Sequence, residues 1–353
     1  MSDQSNIVVL ITGLGGGSHG MQILKALKLS DLPYYFIGAD VTKASYGLSM
    51  VDKSYILPLA NTPEYIDALV NILKTDNVKV LFHGSEPELK VMSKNAEIFK
   101  DMEVFLPINP QEIIDLCMDK YEMAKHLENK GFNVPRTFLI SSVEDTRNID
   151  IYPLVCKPHI GGGGSNNVFI VQDSNELGLI SRYLLGYLEG FIAQEYIGTP
   201  ENEYTVGVLN DLEGKTIDSI AVKRYLFSTL SNRIKVANKT NRKELGEVLT
   251  ISSGISQGEI GRFKEVTEYC EEVACSIGAK GAINFQCRVF DGKVYIFEIN
   301  PRFSGTTSLR AIAGFNEPDL LVRKYILGEE INKIHYKEGV ILRALEEKFI
   351  ANL

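Results

Sequence analysis

The alternation of apolar runs with helical periodicity in the first third of the chain most restricts the fold. Residues 7–12 form a continuous apolar run, IVVLIT, which is typical of a strand buried on both faces. A glycine-rich turn and a helical pattern through residue 27 follow it. Strand patterns then recur at 34–38, 78–82 and 104–106, and helical patterns at 65–73 and 86–99. This order predicts a parallel-sheet domain that ends near residue 110.

Beyond residue 110 the pattern changes to short strands around single helices. Asp119 followed by Glu122 resembles a capping box and predicts a helix that ends near residue 130. Asp291 and Gly292 indicate a tight hairpin turn. Further strands are predicted at 137–140, 154–157, 168–171, 191–196, 204–209, 216–223, 282–290 and 294–299, with helices at 175–188 and 263–277. Antiparallel pairing is favoured here, and the final segment from residue 330 gives no clear pattern.

The composition argues against several classes of protein. The net charge of −8, from 37 basic and 45 acidic residues, disfavours broad binding to a nucleic-acid backbone. No apolar run approaches the roughly 20 residues that a transmembrane helix needs, and the N-terminal residues lack a basic leader. We therefore expect a cytoplasmic protein with no nucleic-acid or membrane partner. The five cysteines form no CxxC pair and are expected to be buried thiols.

The first glycine cluster, residues 15–20 (GGGSHG), satisfies the G-x-G-x-x-G pattern of dinucleotide-binding turns. Asp40 lies 20 residues further on, where such folds place an acid on a ribose hydroxyl. The alternative is a tight strand-to-helix turn that binds no NAD. A lone match to this pattern is weak, and we favour the turn.

The second glycine cluster follows Lys157 and reads KPHIGGGGS. Backbone amides of such a loop can approach phosphates closely, and a lysine on the preceding strand can hold them. The pattern is not that of a P-loop. A plain glycine hairpin is the alternative that this cluster alone leaves open.

A third cluster ends the last hairpin. Glu298 and Asn300 are two residues apart, so both point to one face of their strand. If the pairing is centred on the turn at Gly292, Gln286 lies opposite Glu298. Three oxygen-bearing side chains then converge, which suits a magnesium ion completed by phosphates, with Arg302 as a positive charge beside it. The alternative is an edge strand with solvated polar residues.

With these clusters together, the chain resembles ATP-grasp enzymes, near the branch of the carbamoyl-phosphate synthase large chain and the amino-acid ligases. The resemblance covers roughly residues 5–330. It rests on the stretches 119–120, 155–158 with the glycine loop, 194–198, 203–206, 284–286 and 297–305. It implies a mixed α/β and α+β fold: a Rossmann-like domain over 1–110, then two α+β lobes that sandwich ATP. The lobes are expected over 111–200, with the glycine-rich lid, and 201–330, with the metal site, before an extension over 331–353.

The resemblance also implies roles for single residues. ATP would be bound by Lys120, Lys157, Gly162, Gly163, Gly164, Ser165, Glu195, Tyr196, Ile197 and Glu203. In this set the lysines hold phosphates, the glycine loop covers them, 195–197 hold adenine, and Glu203 binds the ribose. The metal ligands would be Gln286, Glu298 and Asn300, for magnesium, with manganese as an alternative. Gln286 replaces the more usual acid, as in the synthase pattern, and removes one negative charge. Arg302 and Lys157 would be catalytic, with Arg302 stabilising the transferred phosphoryl group.

The function implied is an ATP-dependent carboxylate–amine ligase that forms an amide through an acyl phosphate and releases ADP and phosphate. Its partners would be a small carboxylate and a small amine, with a homodimer as one option. One alternative is phosphorylation of bicarbonate or carbamate, as in the synthase, although this chain has one set of motifs where the large synthase has two. An NAD-binding oxidoreductase and a non-catalytic nucleotide sensor are alternatives from other classes.

The sequence leaves two interpretations for each group of residues that could select the substrates. The basic segment 233–243 is either a positive funnel for an anionic substrate or a solvated loop. Lys223 and Arg224 either face the active site or end a strand at the surface. Residues 83–86 either touch the acceptor or serve as a helix cap through Ser85. Arg310 either binds a carboxylate or lies on a surface helix.

Overall fold

The structure is a computed structural model that describes residues 6–161, 167–228, 230–332 and 334–350. No helix in these residues is both long and apolar enough to cross a bilayer. Four groups of paired strands are present in them: one parallel sheet, two antiparallel sheets and one separate strand pair. The domain boundaries expected at 110, 200 and 330 stay predictions.

The first sheet is parallel, with the strand order β3-β2-β1-β4. Its strands are β1 (Ile7–Thr12), β2 (Tyr34–Asp40), β3 (Lys53–Ile56) and β4 (Val80–Phe82). The helices of this region are α1 (His19–Leu27), α2 (Glu64–Thr75), α3 (Glu86–Lys94) and α4 (Ala96–Asp101). The predicted parallel-sheet domain is therefore confirmed, and β1 has the bounds that its apolar run indicates.

Two local predictions in this region were wrong. The helix expected over 86–99 divides at Asn95, whose side-chain amide donates to the Val91 carbonyl at 2.8 Å and so competes with the helical backbone bonds. The strand expected over 104–106 makes only an isolated bridge between Phe105 and Val80. The short strand β3, whose residues alternate in burial, was not predicted.

The small antiparallel sheet has the order β5-β8-β6-β7. Its strands are β5 (Thr137–Ile140), β6 (Leu154–Pro158), β7 (Phe169–Val171) and β8 (Phe191–Glu195). The helices of this region are α5 (Gln111–Met118), α6 (Lys120–Asn129) and α7 (Ser174–Leu185). As predicted, Asp119 begins α6: its side chain accepts hydrogen bonds from the backbone amides of Tyr121 and Glu122.

The large antiparallel sheet has the order β15-β14-β9-β10-β13-β16. The strands of this region are β9 (Glu203–Asn210), β10 (Thr216–Arg224), β11 (Asn232–Ala237), β12 (Val248–Ser252), β13 (Gly258–Gly261), β14 (Ala282–Phe290), β15 (Lys293–Asn300) and β16 (Gly339–Ile341). Its helices are α8 (Lys264–Ile277), α9 (Thr307–Ala313) and α10 (Glu317–Tyr325). Strands β11 and β12 pair only with each other. Helix α8 buries Cys270 and Val273 in the core of the large sheet.

The C-terminal helices connect the first sheet to the large one. Leu24 and Leu27 of α1 share a buried cluster with Phe303, Phe315 and the apolar residues of α10. This packing fixes the start of α1 beside the end of β15. Close approach of the first-domain loops depends on Gly84, where a Cβ atom would lie 2.0 Å from the Thr12 carbonyl oxygen.

The hairpin of β14 and β15 contains a β-bulge that the sequence did not reveal. Asp291 and Gly292 have φ angles of 48° and 68°, so the predicted tight turn is a type I′ turn. From this turn Cys287 pairs with Ile296, but Gln286 pairs with Glu298, so Phe297 is the extra residue. The predicted pairing of Gln286 with Glu298 is confirmed, and it depends on this bulge.

Candidate active site

A cleft of about 1590 Å³ opens between the small sheet and the large sheet. Strands β6 and β8 line one side and β9, β14 and β15 the other, while the first turns of α1 and α3 and residues 342–346 close its end. Nine basic and five acidic side chains line it among the described residues. The cleft is therefore positive although the whole chain carries a net charge of −8.

The three predicted metal ligands lie together on the cleft side of the hairpin. The Gln286 side-chain amide and the Asn300 side-chain amide each donate to Glu298 Oε1 at 3.0 Å. Among the described residues, no hydrogen bond engages Glu298 Oε2 or Gln286 Oε1. One carboxylate and two amide side chains fit Mg²⁺, which takes oxygen ligands and is completed by phosphates and water. In the described residues no group of three His, Cys, Asp or Glu side chains forms a metal site.

Lys157 connects the two sides of the cleft. It lies on β6, is buried, and donates from Nζ to the carbonyl oxygen of Phe297 at 3.2 Å. That carbonyl belongs to the bulge residue. Desolvation by burial lowers the pKa of Lys157 to about 8, and the Glu298 carboxylate opposes this shift. An anionic phosphate would restore the charged form of this amine.

Lys120 lies at the first position of α6 and contacts the base of the glycine loop. Its Nζ donates to the Gly161 carbonyl at 2.8 Å, and its backbone amide donates to the His159 carbonyl at 2.8 Å. The loop residues assigned to the nucleotide phosphates lie outside the described residues: Gly162, Gly163, Gly164 and Ser165. Their role stays a prediction.

The segment predicted to hold adenine follows β8 and lines the cleft. Glu195 forms an ion pair with Arg242 at 2.9 Å. Tyr196 exchanges hydrogen bonds with the Thr250 backbone and supports the Arg288 guanidinium, 4.4 Å above its ring. The Ile197 carbonyl accepts from Arg288, whereas no acceptor among the described residues engages the Ile197 amide. That amide is a donor available to an adenine ring.

Glu203 is enclosed by two arginines. Its Oε1 accepts from Arg224 Nη1 at 3.0 Å and its Oε2 from Arg288 Nε at 2.9 Å. The Glu203 side chain is 1% exposed, and those of Arg224 and Arg288 are 2% and 8% exposed. Both carboxylate oxygens are therefore engaged within the protein, and a contact of Glu203 with the ribose stays a prediction.

Arg302 is oriented by a residue of the first domain. Its Nη2 donates to Glu86 Oε1 at 2.7 Å and to Asn300 Oδ1 at 2.8 Å, whereas its buried Nε has no partner in the described residues. Burial acts against the charge of Glu86, but the Arg302 guanidinium prevails and lowers the pKa of that carboxyl. Ser85 caps α3 by accepting from the Glu88 amide, so residues 83–86 serve both as a cap and as a support for Arg302.

Two imidazoles lie near this arginine. Burial and the Arg302 charge lower the pKa of His83 to about 4 and that of His19 well below its ordinary value. Both side chains are therefore neutral at neutral pH. The buried Nδ1 of His19 has no partner in the described residues.

Comparison with known proteins identifies the fold. A family model described as "ATP-grasp in the biosynthetic pathway with Ter operon" matches residues 250–348, and one described as "PylC-like, N-terminal domain" matches residues 9–107. The crystal structure of an L-amino acid ligase from Bacillus licheniformis is similar over 91% of this chain and 74% of that one, with a TM-score of 0.62 and 20% identity. Residues 250–348 therefore match an ATP-grasp family model, and the chain shares the fold of this ligase.

Two further matches extend over most of the length of this chain. The large chain of carbamoyl phosphate synthase from Clostridium perfringens is 25% identical over 96% of this chain. The chain spans only 31% of the length of that relative. The biotin carboxylase domain of the Hydrogenobacter thermophilus 2-oxoglutarate carboxylase, a dimer crystallised with MgADP, ADP and bicarbonate, has a TM-score of 0.65. That likeness covers 94% of this chain and 73% of that one at 15% identity.

The cleft contains residues that sequence reasoning missed. Arg288, which holds Glu203 and Ile197, was not predicted. The signal was available, because Asn284, Gln286 and Arg288 follow each other at every second position of an otherwise apolar strand. Residues 342–346 of the weakly patterned tail were also missed, although they line the cleft.

Other candidate residues have different places from those expected. Arg310 is neither a surface residue nor exposed to a ligand: it is fully buried and pairs with Glu317 at 3.1 Å. The basic segment 233–243 begins within β11, and its Arg242 contacts Glu195. Of the two strand-end residues, Arg224 lines the cleft, and Lys223 does not.

Proposed function

We propose that this protein is an ATP-dependent carboxylate–amine ligase that works through an acyl phosphate and releases ADP and phosphate. The observation that carries the proposal is the bulged hairpin. It brings Glu298, Gln286 and Asn300 together on the cleft side and presents the Phe297 carbonyl to Lys157. Metal-ligand oxygens, a buried lysine and Arg302 thus meet in one positive cleft.

In this proposal the nucleotide lies between the two sheets. The Ile197 amide would donate to adenine, and Lys120 and Lys157 would hold the phosphates. Magnesium, held by Gln286, Glu298 and Asn300, would neutralise charge on the phosphate oxygens when bound. Manganese could occupy the same oxygen ligands.

The reaction needs no nucleophile from the protein. An oxygen of the substrate carboxylate attacks the γ-phosphorus, and the bond to the β-phosphate oxygen breaks, so ADP leaves. Arg302, whose Nε has no partner among the described residues, would donate to the transferred phosphoryl oxygens as charge develops there. The amine nitrogen then attacks the acyl carbon and loses a proton to solvent, and the carbon–oxygen bond to phosphate breaks.

A second candidate is phosphorylation of bicarbonate. The 25% identity with the carbamoyl phosphate synthase large chain over nearly the whole of this chain favours it, as does glutamine at position 286. In that case bicarbonate would replace the organic carboxylate at the same site. We keep the ligase as the first candidate, and the bicarbonate arm of the test below separates the two.

The test is release of ADP from Mg-ATP across a panel of carboxylates and amines, with bicarbonate as a separate arm. Amide formation should accompany ADP, and ¹⁸O from the carboxylate should appear in the released phosphate. AMP as the nucleotide product would exclude the acyl-phosphate route, and ADP release that requires only bicarbonate would favour the second candidate. Glu298→Gln should abolish turnover, while Glu268→Gln, on the exposed side of α8, should not; full activity of the first variant would refute the metal assignment.

A further inference from the structure

Arg343 differs from the other arginines of the cleft in the charge around it. Arg302 has Glu86 as its ion-pair partner, and two further arginines share Glu203. Among the described residues, no carboxylate lies within ion-pair distance of the Arg343 guanidinium. Burial without an opposing charge lowers the pKa of Arg343 to about 10, so this side chain is positive and not neutralised at neutral pH.

Neutral groups hold Arg343 in place. Its Nη2 donates to the Gly305 carbonyl at 2.9 Å, to Gln22 Oε1 at 3.0 Å and to Ser308 Oγ at 3.3 Å. The Ser308 hydroxyl also donates to Gln22 Oε1 at 2.6 Å. All these contacts use one nitrogen, and the Nε and Nη1 groups have no acceptor among the described residues. Two adjacent donors of a guanidinium match the two oxygens of a carboxylate.

Arg343 contacts a residue close to Arg302 in the chain, but it does not contact the residues expected to hold the γ-phosphate. Gly305, its backbone partner, is three residues beyond Arg302, so their Cα atoms are at most about 11 Å apart. Arg343 hydrogen-bonds neither Glu298 nor Lys157, where the γ-phosphate is expected. Arg343 is therefore outside the set of residues expected to hold the γ-phosphate, and an anion bound to it would differ from the carboxylate that is phosphorylated.

Part of the lining of the same cleft is apolar, and it comprises Leu29, Met50, Leu309, Ile312, Leu342 and Leu345. Leu342 precedes Arg343 in the chain, and Leu309 follows Ser308, one of its partners. Ile312, Leu342 and Leu345 are 60%, 70% and 68% exposed, so they lie at the entrance. A second substrate that enters the cleft from solvent would meet these side chains.

We infer that Arg343 binds the carboxylate of an amino acid that serves as the amine substrate. This inference rests on the ligase function proposed above. The amino group attacks the acyl carbon near Arg302, the carboxylate stays on Arg343 and does not react, and an apolar side chain contacts the residues of the entrance. Arg343 is thus a specificity-determining residue for the second substrate.

Protection of Arg343 from an arginine reagent tests the inference without turnover. The protein, with Mg²⁺ and a non-hydrolysable ATP analogue, is treated with phenylglyoxal, and modification of the Arg343 peptide is followed by mass spectrometry. L-leucine, L-valine, L-methionine and L-phenylalanine are compared with the amines that lack their carboxyl groups. At least one amino acid should slow modification about 10-fold or more at saturation, and its amine should not. Protection by none of the four, or by inorganic phosphate in preference to them, would overturn the inference.

Kinetics then separate a specificity role from a structural one. Arg343→Met should raise the KM of the protecting amino acid about 10- to 100-fold, the loss expected for a hydrogen-bonded charge pair. The KM values of ATP and of the matching amine should not change, and Arg343→Lys should recover part of the loss. Arg147→Met, on an exposed turn, is the control. Equal increases for amine, amino acid and ATP would show a structural role. If the wild type releases no ADP with any pair, the ligase proposal fails, while the protection experiment still decides the role of Arg343.

Discussion

Replacing Glu203 by glutamine should destabilise the protein strongly, because this carboxylate neutralises two buried arginines. Arg224 and Arg288 contact it at 3.0 Å and 2.8 Å, and all three side chains are at most 8% exposed. Glu203→Gln leaves two positive charges in the cleft wall with no acid between them. Removal of one partner of a buried ion pair costs about 3–5 kcal/mol. The remaining amide oxygen still accepts one hydrogen bond, so we expect a loss near the lower value, about 3 kcal/mol.

Equilibrium unfolding in urea measures this loss, with ATP affinity measured on the same preparations. The midpoint should fall while the slope of the free energy against urea stays unchanged. The control is Glu268→Gln, whose exposed contact with Lys264 at 3.8 Å is worth about 0–1 kcal/mol. If Glu203→Gln unfolds within about 1 kcal/mol of the wild type but binds ATP far more weakly, Glu203 belongs to the nucleotide site. That result would refute the structural assignment and favour the ribose contact.

Three further outcomes follow from the same cleft. Because the pKa of Lys157 is about 8 without ligand, ATP binding at pH 8.5 should take up about three quarters of a proton. Calorimetry in buffers of different ionisation enthalpy measures this proton uptake. An uptake that Lys157→Met leaves intact would contradict the prediction. Gly84→Ala should lower the free energy of unfolding by about 1–3 kcal/mol, because the added Cβ collides with the Thr12 carbonyl oxygen. Gly16→Ala, which has open space around its Cβ position, should leave that free energy unchanged, and urea titration measures both variants. Glu86→Gln should lower kcat about 10-fold at an unchanged KM for ATP, since Glu86 orients Arg302; a loss confined to KM would argue against that role.

The elements that the sequence predicted well are those with strong local signals. The apolar run of β1, the Asp119 cap of α6 and the turn at Asp291 and Gly292 each depend on neighbouring residues, and each was predicted correctly. Strands β11 and β13 were missed because they combine charged residues with short pairings, and β12 was missed although its residues, VLTIS, are uncharged. Strand β13 also depends on partners distant in sequence, because it pairs with β10 and β16.

The bulge at Phe297 shows why a correct pairing can have an unforeseen cause. A type I′ turn at residues 291–292 with regular pairing would place Gln286 opposite Phe297, and the pair of Gln286 with Glu298 arises because one residue is inserted. The prediction from the sequence assumed pairing centred on Gly292, and this assumption also places Gln286 opposite Glu298. The sequence carries no local signal for the bulge, since Phe297 is an ordinary strand residue. The Phe297 carbonyl accepts a hydrogen bond from Lys157, which lies 140 residues away along the chain.

The polar residues at alternate positions of β14 show which assignments a sequence pattern cannot make. Asn284, Gln286 and Arg288 share one face and one spacing, yet each has a different partner. Asn284 accepts from Arg310 and from Thr205, Gln286 donates to Glu298, and Arg288 donates to Glu203. These hydrogen-bond partners belong to α9, β15 and β9. Period-two spacing fixes the face of a strand, because side chains alternate about the backbone, but the chemistry of each position depends on which element packs over it. Of the three, only Gln286 meets a carboxylate with an oxygen that has no partner among the described residues, and it is therefore the position that the metal proposal uses.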